Sequence, residues 1–127
     1  MSAIQSSLLL GAALMAFLVG LAHSVLGEKY ILVRLFRRPD LPKLFGDTTF
    51  TARTLRFAWH LTTIAWWGFG AMLLLASRGQ LSASNTLFLI AAAMAVTAIV
   101  ILVASRGRHL AWPVFLAIAI VSMWAAA

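Results

Sequence analysis

The chain has 127 residues, 63% of them hydrophobic and 10% charged, and it contains no cysteine. A soluble domain carries about 25% charged residues, so this is the composition of a membrane protein, and the length suits one compact domain. The lack of cysteine excludes disulfides, thiolate metal sites and cysteine nucleophiles.

The first apolar segment covers residues 8–27. No positive region precedes it and its charges follow it, so the expectation is a retained span and not a cleaved signal peptide. Ala12, Ala16 and Gly20 stand four apart on one helix face, which lets another backbone approach closely. Ser24 continues that stripe and His23 lies beside it, so both are expected to point toward protein. Glu28 stands at the rim. The stretch GEKYILVRLFRR that follows mixes apolar residues with Lys29, Arg34, Arg37 and Arg38, as an amphipathic continuation at the interface would. RPDLP breaks it, because proline removes a donor and biases the preceding residue away from helix. Asp47, Thr48 or Thr49 then caps the next helix.

The second apolar segment, 57–76, is entered through Arg53 and Arg56. Together with His60, Thr63 and Trp67 they recur every three or four residues and form one polar stripe, which a membrane helix turns toward protein. The third segment, 86–104, has Thr97 as its only interior polar residue and reads as a wall. The fourth, 110–127, is opened by His109 and has Pro113 in its first turn, where a missing donor costs little. Trp59, Trp112 and Trp124 read as an aromatic belt, whereas Trp66 and Trp67 fall mid-helix, with Thr62 or Thr63 as partners. Each segment holds about 18–20 residues, the length that crosses ~30 Å of hydrocarbon as a helix. The expected fold is all-α: a four-transmembrane-helix bundle with a short interfacial amphipathic helix after the first span.

The net charge of +7 has a topological explanation. Seven basic residues lie in the first connection, two in the third (Arg106 and Arg108) and one, Arg78, in the second. The positive-inside rule then places both termini in the periplasm of a bacterial inner membrane and both basic connections in the cytoplasm. The basic 29–56 segment is expected to meet anionic headgroups of the bilayer, and nucleic acid is not needed as a partner.

All three histidines fall at that basic end, with Glu28, Tyr30, Arg53, Arg56 and Arg108. One reading is a cofactor site. His23, His60, His109 and Glu28 would suit a divalent transition metal such as zinc or ferrous iron, or His23 and His60 would be the axial pair of a haem b. Haem ranks below metal because a compact four-helix core has little room. The supporting polar groups would be Ser24, Arg53, Arg56, Thr63, Trp67 and Arg108. The alternative is a non-catalytic accessory or scaffold protein whose histidines only link helices, with Glu28 paired to Arg56, Arg53 or Arg108. Transport has little support, since no pair of broken helices is present. Nucleophilic catalysis is disfavoured, because Ser24 and His23 are adjacent and point about 100° apart on a helix. No enzymatic activity is assigned, and a homo-oligomer or a membrane-protein partner is compatible with the sequence.

The motifs HSVLGEKYIL, LRFAWHLTTIAWWG and GRHLAWPVF resemble those of a family of small bacterial membrane proteins with four helices. The residues that carry the resemblance are His23, Ser24, Gly27, Glu28, Arg56, Trp59, His60, Gly107, Arg108, His109, Trp112 and Pro113. The resemblance implies the four-helix architecture and brings no activity with it.

Overall fold

The computed structural model describes every residue, Met1–Ala127, as an all-α helical membrane protein. Four helices follow one another: α1 Ala3–Leu35, α2 Thr49–Ser77, α3 Ala83–Ser105 and α4 Trp112–Ala126. The first three are long and apolar enough to cross a membrane. The fourth has 15 residues, about 22 Å at 1.5 Å per residue, against ~30 Å of hydrocarbon. The apolar stretch expected over 110–127 therefore yields a shorter helix. Its start is delayed to Trp112 by the turn through Arg106 and Gly107, both at positive φ (52° and 76°).

α1 starts at a capping box. The Ser2 hydroxyl accepts from the Gln5 N–H, and the Gln5 side chain returns to the Ser2 N–H. At the other end the amphipathic stretch is joined to α1 without a break. Residues Gly27–Leu32 form a π-helical turn, closed by the Val33 N–H on the Glu28 carbonyl, and the helix ends at Leu35. Gly27 and Leu32 are buried in this turn, while Lys29, Tyr30 and Ile31 face outward. α2 begins well before its apolar part, because the Asp47 carboxylate accepts the Thr49 N–H at 2.8 Å and the Thr51 hydroxyl donates to the Pro42 carbonyl at 2.8 Å. Arg53 and Arg56 thus stand on helix, outside the apolar segment.

The helices pack strictly in chain order. α1 lies against α2, α2 against α3 and α3 against α4, and α1 meets neither α3 nor α4. The result is an open row of antiparallel helices. Only 14 of 127 residues are buried, as a row without an enclosed centre requires, since both broad faces remain open. Most buried residues of α3 and α4 are small: Ala91, Ala98 and Ser105 on α3, Ala119 and Ser122 on α4, with Ile101 the one large side chain among them. In lipid there is no hydrophobic drive between helices, so close backbone approach at such residues supplies the packing.

Candidate functional site

α1 and α2 are joined by a ladder of polar contacts. Three carbonyls of α1, those of Phe17, Gly20 and His23, accept from Trp67 Nε1 at 3.1 Å, Thr63 Oγ1 at 3.0 Å and Trp59 Nε1 at 3.1 Å. The acceptors are three residues apart and the donors four apart, in opposite chain directions. This is the i±3 to i±4 matching of antiparallel helices that cross at a shallow angle of about 20°. Glycines make the approach possible. A Cβ at Gly20 would stand 2.7 Å from Trp67 Nε1, and one at Gly27 would lie within the indole of Trp59.

His23 and Trp59 form a reciprocal pair. The Trp59 indole donates to the His23 carbonyl, and His23 Nε2 lies 3.2 Å from the Trp59 carbonyl. A carbonyl only accepts, so His23 Nε2 carries the hydrogen, and in neutral imidazole Nδ1 is left with its lone pair. The two rings stack with centroids 4.5 Å apart and planes within 5°, and Trp66 closes edge-on at 4.9 Å. Trp59 is therefore part of the helix clamp, which corrects its assignment to the aromatic belt. The belt reading fails because Gly27 opens a slot that the indole enters.

His60 lies one step along. Its Nδ1 is 2.9 Å from Ser24 Oγ, which is 2.7 Å from Thr63 Oγ1. The Thr63 hydroxyl gives its single hydrogen to the Gly20 carbonyl, so Ser24 donates to Thr63 and His60 Nδ1–H donates to Ser24. His60 Nε2 then faces Glu28 Oε2 at 3.4 Å. The other oxygen of Glu28 lies 3.1 Å from Arg56 Nη2, which closes the ladder with a guanidinium. The chain from the Gly20 carbonyl through Thr63, Ser24, His60 and Glu28 to Arg56 is thus continuous.

Sequence reasoning brought Ser24, Glu28, Arg56, His60, Thr63 and Trp67 to one interface, and the structure places all six there. It does not bring the four expected metal ligands together. No three His, Asp or Glu side chains are placed to hold an ion. His23 turns its donor nitrogen to the Trp59 backbone, and His60 lies between Ser24 and Glu28, so the two rings do not oppose each other across a common centre. His109 packs instead on α2 aromatics, stacked on Phe50 at 6.2 Å and edge-on to Phe57 at 5.2 Å, and Nδ1 accepts from the Ala111 N–H at 3.4 Å. An expected closed core would have pointed all three histidines to one centre, and an open row has no such centre. Arg53 and Arg108, named as partners for Glu28, line a separate pocket with Asp47 and Arg106.

The groove beside His23 is apolar and holds about 450 Å³, with Val19, Ala22, Leu26, Tyr30, Trp59 and Trp66 in its lining. It opens sideways from the row. Comparison of the chain with protein-family models, with curated proteins and with solved structures finds no match in any of the three, so the functional reading stands on this geometry.

Proposed function

We propose that the chain is a non-catalytic accessory or scaffold protein of the bacterial inner membrane, with both termini in the periplasm and the basic end in the cytoplasm. The observation that carries this is the ladder itself. Ser24, Glu28, Arg56, Trp59, His60, Thr63 and Trp67 are all engaged in contacts between α1 and α2. A reacting centre needs polar groups held ready for a substrate, whereas here they hold two helices in register. The nine-to-one distribution of basic residues supports the orientation, and the basic 29–56 segment suits anionic headgroups. The row leaves two edge helices with a single neighbour each, which suits association with a second copy or another membrane protein. Thermal unfolding of the purified protein in detergent tests the reading, with elemental analysis alongside. Ser24→Ala and His60→Leu should each lower Tm, with no metal present at stoichiometric level in any form. Unchanged Tm for both variants would overturn it.

A second reading has one specific observation in its favour. His23 donates Nε2–H to a carbonyl, the arrangement that orients metal-ligating histidines, and its Nδ1 has no partner within the chain. A divalent transition metal or a haem b would then be held by His23 from the groove side, with its remaining ligands supplied from outside this chain. An absorption spectrum with a Soret band, or stoichiometric metal lost in His23→Gln, would establish this reading over the first.

A further inference from the structure

A second polar site lies at the basic end, away from the ladder. The start of α2 and the connection between α3 and α4 enclose a pocket of about 200 Å³. Three arginines line it, Arg53, Arg106 and Arg108, with one acidic residue, Asp47. None of the three arginines has an ion-pair partner, since the only ion pairs join Arg38 to Asp40 and Glu28 to Arg56 and His60. Asp47 is engaged in capping the Thr49 N–H, so it neutralises one charge without bridging to any guanidinium. The pocket therefore gathers a net charge of about +2 with its donors unpaired, and an arrangement of like charges round one space is unfavourable until an anion enters it.

The fold fixes the backbone that carries the arginines. Arg106 and Gly107 take left-handed conformations that reverse the chain directly after α3. The buried Ser105 hydroxyl accepts from the His109 N–H at 3.2 Å and fixes the far side of the turn. His109 then stacks on Phe50, tying the connection to the first turn of α2. Arg53 stands four residues before the buried Phe57, roughly 6 Å along the axis, which is the depth of the phosphate layer beside an apolar span. Guanidinium forks match phosphate oxygens in pairs, and lysine would not do this.

We propose that Arg53, Arg106 and Arg108 form a binding site for a phosphate group. The chemistry is shared by two sources, the headgroup of an anionic phospholipid and a phosphate anion from solution. The site is independent of the scaffold reading, because none of its arginines belongs to the ladder.

The test uses the full-length protein in nanodiscs of phosphatidylcholine with 10–20% phosphatidic acid as a trial composition, on the order of what anionic leaflets carry. Native mass spectrometry reads lipid retained after transfer to neutral detergent. The wild type should retain one phosphatidic acid, and Arg106→Gln/Arg108→Gln should cut retention about tenfold. Arg37→Gln/Lys43→Gln removes the same charge from the same side and should leave retention unchanged. In a second arm, inorganic phosphate at millimolar concentration is added to protein in pure phosphatidylcholine nanodiscs. A rise in Tm that the Arg106/Arg108 variant abolishes assigns the site to solution phosphate, and lipid retention without that rise assigns it to headgroups. Equal losses in both double variants would mean diffuse charge and overturn the proposal. So would equal retention of oleate, an anion without phosphate, or the absence of both signals.

Discussion

The two outer seams of the row are built differently. Between α1 and α2 run side-chain hydrogen bonds and an ion pair from Phe17 to Arg56, set under glycines. Between α3 and α4 the residues are apolar, Ala91, Ala95, Leu116 and Ala119 among them, and the one side-chain bond across the seam is Ser84 to the Ala126 carbonyl at the helix ends. The connections explain the difference. α3 and α4 are joined by a tight turn, which already limits their register. α1 and α2 are joined by residues 36–48, long enough to leave the register open, and directional contacts fix it.

The largest expected effect is at Gly27. Gly27→Leu drives a side chain into the Trp59 indole, breaking the reciprocal pair with His23, and should cost about 3 kcal/mol in unfolding from mixed micelles. Gly68→Leu is the control, because the nearest side-chain atom to a Cβ there is 3.9 Å away, and it should cost much less. Equal losses would erase the contrast between a glycine that admits an indole and one that does not.

Two buried threonines, one in the ladder and one outside it, sharpen the comparison. Thr63 bonds to the Gly20 carbonyl and Ser24, whereas Thr97 on α3 makes no side-chain hydrogen bond. Thr63→Val should lose roughly 1–2 kcal/mol, since interhelix bonds in membranes average about 0.6 kcal/mol and Ser24 is left without its acceptor. Thr97→Val should be neutral or slightly stabilising. A reversed order would show that the ladder does not fix the α1–α2 contact.

Smaller still is the effect at the end of the ladder. Glu28→Gln weakens the pairing with Arg56 and His60 and should lower Tm by a few degrees, the equivalent of about 1 kcal/mol for a partly exposed pair. Asp40→Asn is the lower bound. The Arg38 hydrogen bonds hold the Asp40 carboxyl below the usual carboxylate range. Its contribution is therefore present at neutral pH and is lost as pH falls through that lowered value. Both partners are exposed, so no change in Tm should be measurable between pH 7 and pH 5 for Asp40→Asn relative to the parent.

Much of the α1–α2 seam was legible from spacing. Gly20 and Ser24 at i, i+4, and Arg56, His60, Thr63 and Trp67 at three and four, each define a face, and polar faces in hydrocarbon must meet each other. Trp59 was not legible, because a tryptophan near an interface reads as belt unless a facing glycine is known to open a slot for it. The π turn was equally hidden, since GEKYIL has no local signal for a wider helix. His109 was misplaced for a topological reason. Sequence gives the depth of a residue through its distance from the helix end, but whether helices close into a ring or stay in a row is decided by pairwise packing. Arg53 shares a stripe with Arg56, yet α2 turns it toward the α3–α4 connection.

α1 continues as helix past the end of its apolar segment at Gly27 as far as Leu35, so Lys29 and Arg34 ride on the same rod as the span. A helix of 33 residues, about 50 Å at 1.5 Å per residue, is longer than ~30 Å of hydrocarbon, so it must tilt or carry its basic end out among the headgroups. Either way these charges keep a fixed distance from the span instead of swinging on a loop.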